Sequence, residues 1–175
     1  MDLKKYIRTI KDYPKKGILF RDITTLIKDP LAFNFAIDKM IEISKKIEFD
    51  KISAIESRGF IFASIISYLT NKPLVLLRKK NKLPAERHSV DFQLEYGSAT
   101  IEVHKDSIDK NEKILVIDDL IATGGTAEAA AKLIELSSGK VAGFIFIINL
   151  FDLPGNNLLK KKNYFTESLM EFPGH

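Results

Sequence analysis

The sequence predicts an α/β protein: a mostly parallel, twisted sheet flanked by helices. Three observations carry this. Short, unbroken apolar runs (KISAIE at 51–56, PLVLLR at 73–78, KILVID at 113–118 and VAGFIFIINL at 141–150) read as strands buried on both faces, as in a covered parallel sheet. Segments with helical spacing or helix caps lie between them, so strands and helices alternate. The 175 residues are 45% hydrophobic and 29% charged, enough for one domain with its own core, and residues 1–175 are read as that domain.

Each element follows in order. Leu3, Tyr6, Ile7 and Ile10 recur at helical spacing, so a first helix is expected over residues 2–12, ended by Pro14 and Gly17. A short apolar piece, GILFRDIT, comes next. Asp29-Pro30 opens a helix over residues 30–47, with an acid at the N-cap and proline in the first turn. GFIFASIISYLT (59–70) reads as a buried helix. Residues 79–97 are polar and punctuated by Pro84 and Gly97. Within them VDFQLEY alternates like a hairpin strand, and ATIEVHK (99–105) is suited to pair with it antiparallel. So long a polar stretch is expected to be a functional, mobile loop. A helix is expected from about 124 to 137. NNLLKKKNYFTESLMEF has weak periodicity and specifies no element.

Composition excludes some chemistry. There is no cysteine, hence no disulfide and no thiolate metal site. His88, His104 and His175 are too scattered for a metal site. The net charge of +4 favours anionic partners but does not separate nucleic acid from small phosphates. The opening MDLKKYIRTIKDYP lacks the apolar core of a signal peptide. The apolar stretches near 59–69 and 141–151 are too short to span a bilayer. A soluble, cytoplasmic protein with no membrane or nucleic-acid partner is expected.

The chemistry concentrates in ILVIDDLIATGGT (114–126). In an open α/β sheet, ligands bind beyond the carboxyl ends of the strands, and Asp118 and Asp119 lie at such an end. Neighbouring strand residues point to opposite faces, so the two are not expected to share a proton unless the chain bends there. As fixed acceptors they suit adjacent sugar hydroxyls, or water ordered around Mg²⁺. Gly124 and Gly125 let the backbone approach a ligand or adopt unusual torsions. The amides of Ala122–Thr126 and the start of the next helix suit one phosphate, with Thr123 and Thr126 adding hydroxyl donors. Neither a Walker loop nor a dinucleotide fingerprint is present. Acceptors for a diol beside donors for a phosphate match a ribose 5-phosphate.

This stretch resembles the 5-phosphoribosyl-1-pyrophosphate (PRPP) signature of type I phosphoribosyltransferases. GILFRDIT (17–24), ESRGF (56–60), RKKNKLP (78–84) and LEYG (94–97) resemble, in order, motifs of the adenine phosphoribosyltransferase family, so the likeness spans nearly the whole chain. It implies the type I fold, with a small N-terminal hood (residues 1–28) and a flexible lid (residues 79–98). It implies transfer of 5-phosphoribosyl from PRPP to adenine, giving AMP and pyrophosphate, with Mg²⁺ carried on the pyrophosphate and helped through water by Asp118 or Asp119. A homodimer is also implied.

The resemblance assigns further roles. Ser57 and Arg58 are expected at the pyrophosphate, Arg58 as a fork-shaped cation that aids catalysis, with a strained peptide, one that can be cis, near Glu56-Ser57. Arg78, Lys79 and Lys82 are expected to reach the same diphosphate. Glu95 is expected to handle the purine's proton or to place the lid, with Tyr96 beside it. Phe92 stands where the family commonly has tyrosine. Phe20 is expected to cover the purine, the backbone of Leu19 and Arg21 to read its edge, and Leu150 to close the pocket. Related enzymes for 6-oxopurines usually carry an aspartate where this chain has Ala122, which favours adenine. Asn149 replaces the glutamate often found before Leu150. Two alternatives stay open: a PRPP-binding regulator without turnover, and a transferase for another purine. The first is disfavoured because no length is spare for a helix-turn-helix before GILFRDIT.

Overall fold

A computed structural model describes residues 1–93 and 97–174. A 3₁₀ turn at Leu3–Tyr6 precedes the hairpin β1 (Arg8–Lys11) and β2 (Leu19–Asp22). Next come α1 (Thr24–Lys28), α2 (Pro30–Ser44), β3 (Lys51–Ile55), α3 (Arg58–Thr70) and β4 (Leu74–Lys79). Strands β5 (Arg87–Gln93) and β6 (Ser98–His104) follow, then β7 (Lys113–Ile121), α4 (Gly125–Leu136), β8 (Lys140–Leu150), α5 (Gly155–Lys161) and β9 (Phe165–Phe172).

Seven strands form one sheet in the order β5-β6-β4-β3-β7-β8-β9. From β4 to β9 every pairing is parallel, and β6 runs antiparallel to both β4 and β5. The expected mostly parallel sheet and antiparallel lid pairing are therefore both present. Leu115 and Ile117 of β7 pack with α2 and α3, whereas Ile114 and Val116 pack with α4. Both faces of the central strand are thus covered, which explains its unbroken apolar run. Asp29 caps α2 as expected, accepting from the Leu31 and Ala32 amides at 3.0 and 2.9 Å, with Pro30 next in the chain. No helix among the described residues is long and apolar enough to cross a membrane.

Three expectations are corrected. The helix expected over 2–12 is a single 3₁₀ turn and a strand. Leu3 and Ile7 are buried as the spacing suggested, but Arg8–Lys11, with β-branched Thr9 and Ile10, pairs with β2, which satisfies its backbone. Residues 156–172 do form elements: the short helix α5 and the edge strand β9. Only Thr166 and Met170 of β9 are buried, so its alternation is diluted. Strand β7 does not stop at Asp118. It runs to Ile121, because Leu120 and Ile121 keep their pairing with Ile148 and Asn149.

The hood is held by Asp22. Its carboxylate accepts from the Thr24 amide at 2.9 Å and from Arg8 Nε at 2.9 Å. The Thr24 amide, first, and then the Thr24 and Arg8 side chains hold it down to about 2, against the opposing effect of burial. A depressed carboxyl stabilises the fold above its unfolded value and loses that contribution as pH falls through the folded one. Asp22→Asn is expected to cost about 1–2 kcal/mol at pH 7, since half-exposed Arg8 is partly screened. The gap should close as pH falls from about 4 to 2, which urea titrations at several pH values would measure.

Candidate active site

Two strand ends build the site. Strand β3 ends at Ile55, the Glu56–Ser57 peptide is cis, and α3 starts at Arg58. Strand β7 passes through both aspartates, and residues 122–124 lead into α4. Between them lies a cavity of about 250 Å³ lined by Glu56, Ser57, Arg58 and the run from Asp118 to Thr126. The cis peptide lies where the resemblance implied one.

The start of α4 is unoccupied by any side-chain cap, and Gly124 adopts φ +92° there. Its first-turn amides and the positive end of the helix dipole therefore face the cavity without an internal acceptor. Gly125, which lines the cavity, also answers a demand within the fold. Its torsions are helical, but a β-carbon there would sit 2.6 Å from the Gln93 carbonyl oxygen. The glycine makes room for β5, which packs against the start of α4. Gly59 likewise is not a turn residue but lies inside α3, where a β-carbon would stand 2.9 Å from Asp118 Oδ1.

Asp118 and Asp119 line the same cavity although adjacent on a strand. The Asp119 amide donates to Asp118 Oδ1 at 2.9 Å. Burial, first, and then the neighbouring Asp119 charge push Asp118 well above the usual carboxylate range. Burial raises Asp119 too, while the Arg58 guanidinium pulls it back. Arg58 Nε lies 3.0 Å from Asp119 Oδ2, an ion pair by distance. Yet no donor among the described residues is aligned with that buried oxygen, so it retains full acceptor capacity. A sugar hydroxyl is the kind of donor it can take.

A second cavity, of about 150 Å³, adjoins the first. Leu19, Phe20, Arg21 and Leu150 all line it, joined by Ile18, Leu153 and Gly174. Arg58, Leu120 and Ala122 belong to both walls. The Arg58 guanidinium stands 5.5 Å from the Phe20 ring centroid. The Arg21 side chain turns elsewhere, donating to Thr9 Oγ1 at 2.5 Å and to the Pro173 carbonyl at 2.6 Å. That anchors the hood to the C-terminal segment, whose Gly174 amide donates to Asp152 at 2.7 Å.

Arg78, Lys79 and Lys82 line neither cavity among the described residues. They gather behind Glu56, which does. Arg78 Nε donates to Glu56 Oε2 at 3.1 Å and the Lys79 amide at 2.9 Å. Arg78, the Lys79 amide and the nearby Lys82 charge keep Glu56 below its ordinary range. Glu56 lay in a quoted motif, but its role as the post for this cationic corner was not read. Leu153 and Gly174 were missed because nothing local marks them; only the folded chain brings them to β2. Glu95 and Tyr96 lie outside the described residues. No cluster of three or more metal-ligating side chains exists among the described residues.

A parallel sheet whose strand ends carry twin acids, an uncapped helix start and a hood cavity beside them defines a phosphoribosyltransferase. The Phosphoribosyl transferase domain family matches residues 24–170. An adenine phosphoribosyltransferase of Pelagibacter ubique is 70% identical over 175 residues, covering 100% of both chains. That of Chlorobaculum parvum is 51% identical over 99% of both chains. The crystal structure of adenine phosphoribosyltransferase from Thermoanaerobacter pseudethanolicus superposes with a TM-score of 0.93 at 42% identity, covering 98% of each chain. The Giardia lamblia enzyme complexed with 9-deazaadenine gives 0.92 at 32% identity, over 98% of this chain and 96% of that one. The chain belongs to the adenine phosphoribosyltransferase family.

Proposed function

We infer that the chain works as its family does, with the two cavities dividing the labour. It transfers the 5-phosphoribosyl group of PRPP to adenine, giving AMP and pyrophosphate. The observation that carries the assignment of the site is the junction of the cavities: twin acids and an uncapped helix start on one side, Phe20 and Leu150 on the other, with Ala122 shared. A base joined to a ribose phosphate fits across that junction.

N9 of adenine attacks C1 of the ribose while the C1–oxygen bond breaks; pyrophosphate leaves with the electron pair, and the ring proton of adenine passes to water or to Glu95. Positive charge grows on the ribose and negative charge on the leaving oxygens, so catalysis rests on positioning and electrostatics. Residues 123–126 hold the 5-phosphate by main-chain amides. Asp118 and Asp119 grip the ribose hydroxyls. Ser57 and Arg58 meet the pyrophosphate, with Arg78, Lys79 and Lys82 supplying positive potential from behind Glu56. Mg²⁺, carried in by the pyrophosphate and met by Asp118 or Asp119 through water, would neutralise part of the leaving charge. A pair of carboxylates with no further ligand fits that water-mediated role better than a resident metal. Phe20 and Leu150 sandwich the purine, and Ala122 offers no acid to a 6-oxopurine.

A homodimer is part of the same proposal, supported by the exposed Ile61, Tyr68 and Leu69 of α3 beside exposed Leu76 of β4. A cytoplasmic setting follows from the polar, diffusible substrates.

The test is AMP formation from adenine and PRPP, run beside hypoxanthine, guanine and xanthine. Adenine alone should turn over efficiently. Turnover of an oxopurine at a comparable rate would overturn the base assignment, and PRPP binding without turnover would make the chain a regulator.

A further inference from the structure

The loop that carries the phosphate amides has a second support, which no motif marks. Behind residues 122–124 stands the first residue of α5, Gly155. Its amide donates to the Ala122 carbonyl at 2.9 Å. A β-carbon on Gly155 would lie 2.4 Å from that carbonyl oxygen, 2.7 Å from the Gly124 nitrogen and 2.8 Å from Ile121 Cγ1. The contact is mutual: a β-carbon on Gly124 would lie 2.8 Å from the Gly155 α-carbon. Two main-chain segments thus touch where neither has a side chain, at distances that real β-carbons do not reach.

Helix α5 and the end of β7 are not free to retreat from an added methyl. Leu159 of α5 is fully buried in the core beneath α4. Lys162, just past α5, pairs with Glu128 of α4 at 2.6 Å. Strand β7 is held in register with β8 up to Ile121, one residue before the loop. The yielding part is the loop itself, residues 122–124, which lines the cavity and belongs to neither a strand nor a helix.

We propose that Gly155 is a positioning residue for the phosphate-binding loop: its bare main chain fixes the height of the 122–124 backbone and so aims the amides at the 5-phosphate. This rests on the phosphoribosyl reading of the site. Misplacing a binding group by a fraction of an ångström to an ångström costs as much as a hundredfold when the recognising groups are rigid amides. The effect falls mainly on the groups that hold the sugar phosphate; the base wall does not include Gly155 and shares only Ala122 with the displaced loop.

The experiment compares Gly155→Ala with Gly143→Ala. At Gly143 a β-carbon would meet the Phe165 carbonyl oxygen at 2.9 Å, a similar clash between β8 and β9 that lines neither cavity. Steady-state kinetics and thermal melting are measured for both. Gly155→Ala should raise KM for PRPP about tenfold or more, with a clearly smaller rise in KM for adenine through the shared Ala122. Gly143→Ala should lose thermal stability with both KM values unchanged. Equal effects of the two variants on KM for PRPP, or a wild-type KM in Gly155→Ala, would overturn the proposal. Should Gly155→Ala fail to fold, amide exchange in the wild-type protein decides. The Gly155 amide should exchange about tenfold more slowly once AMP fills the site, because the loop it bonds is then fixed; unchanged exchange would refute the support. If the wild-type protein makes no AMP at all, the functional reading fails first, and the two failures are told apart by that control.

Discussion

Changing Asp118 and Asp119 together to asparagine is expected to cut kcat/KM for PRPP on the order of 10²- to 10⁴-fold and at the same time to raise the melting temperature. The loss follows from two charge-assisted acceptors, each contributing about 1.5–3 kcal/mol to a sugar hydroxyl. The gain follows from burial. Both carboxyls titrate above their ordinary value because desolvation disfavours the charged form, with mutual repulsion adding to it at Asp118. A carboxyl whose folded value lies above the unfolded one binds protons more tightly when folded. Its contribution is most favourable below the unfolded value and is lost as pH rises through the raised range. At neutral pH the pair therefore costs stability, which asparagine relieves. The Asp119 amide keeps its acceptor on residue 118, and Arg58, left without its partner, is exposed enough to stay hydrated. Kinetics and calorimetry between pH 5 and 8 check both halves. AMP affinity of the wild type should weaken as pH falls through the raised range, whereas the asparagine pair should be flat. Unaltered turnover, or activity lost only in step with unfolding, would remove the aspartates from the mechanism.

Arg58→Ala is expected to lower kcat by about 2–4 kcal/mol of barrier, the range for losing one donor to developing negative charge. The same side chain lies within 3.0 Å of Asp119 and 5.5 Å from the Phe20 ring centroid. It therefore touches the sugar and base walls as well as the leaving-group side. Without it Asp119 loses the charge that holds it down, so the pH at which AMP affinity falls should move upward. Arg58→Lys restores the charge without the planar fork and should recover only part of kcat. Separate kcat and KM values across pH resolve these effects. A change confined to KM for adenine would make Arg58 a wall of the base cavity and nothing more.

How far the sequence revealed this molecule depends on how local each cause is. Strands β3, β7 and β8 were legible because burial on both faces leaves an unbroken apolar run; β4 carries such a run although Leu76 on one face is exposed. The cap of α2 was legible because Asp29 acts on amides two and three residues away. The loop after β7 was legible because acids, glycines and threonines crowd into one stretch. The N-terminal strand was hidden: the spacing of Leu3, Ile7 and Ile10 serves a 3₁₀ turn and hairpin as well as a helix, and only β2 decides between them. Strand β9 was hidden because an edge strand with two buried residues carries little alternation. The closeness of Gly125 to the Gln93 carbonyl was hidden, because β5 stands about 30 residues upstream. Gly155 gave no sign at all, since its reason stands about 30 residues upstream in the chain.

The junction of the two cavities has a consequence for how such a protein can change over time. Among the described residues only Arg58, Leu120 and Ala122 serve both walls. Substitutions at Leu19 or Leu153 should therefore combine additively with substitutions at Thr123 or Thr126, because distant sites without common partners rarely interact. Nucleobase preference is then open to drift while the grip on the activated sugar is conserved. Any lineage that altered one of the three common positions would have to re-tune both at once.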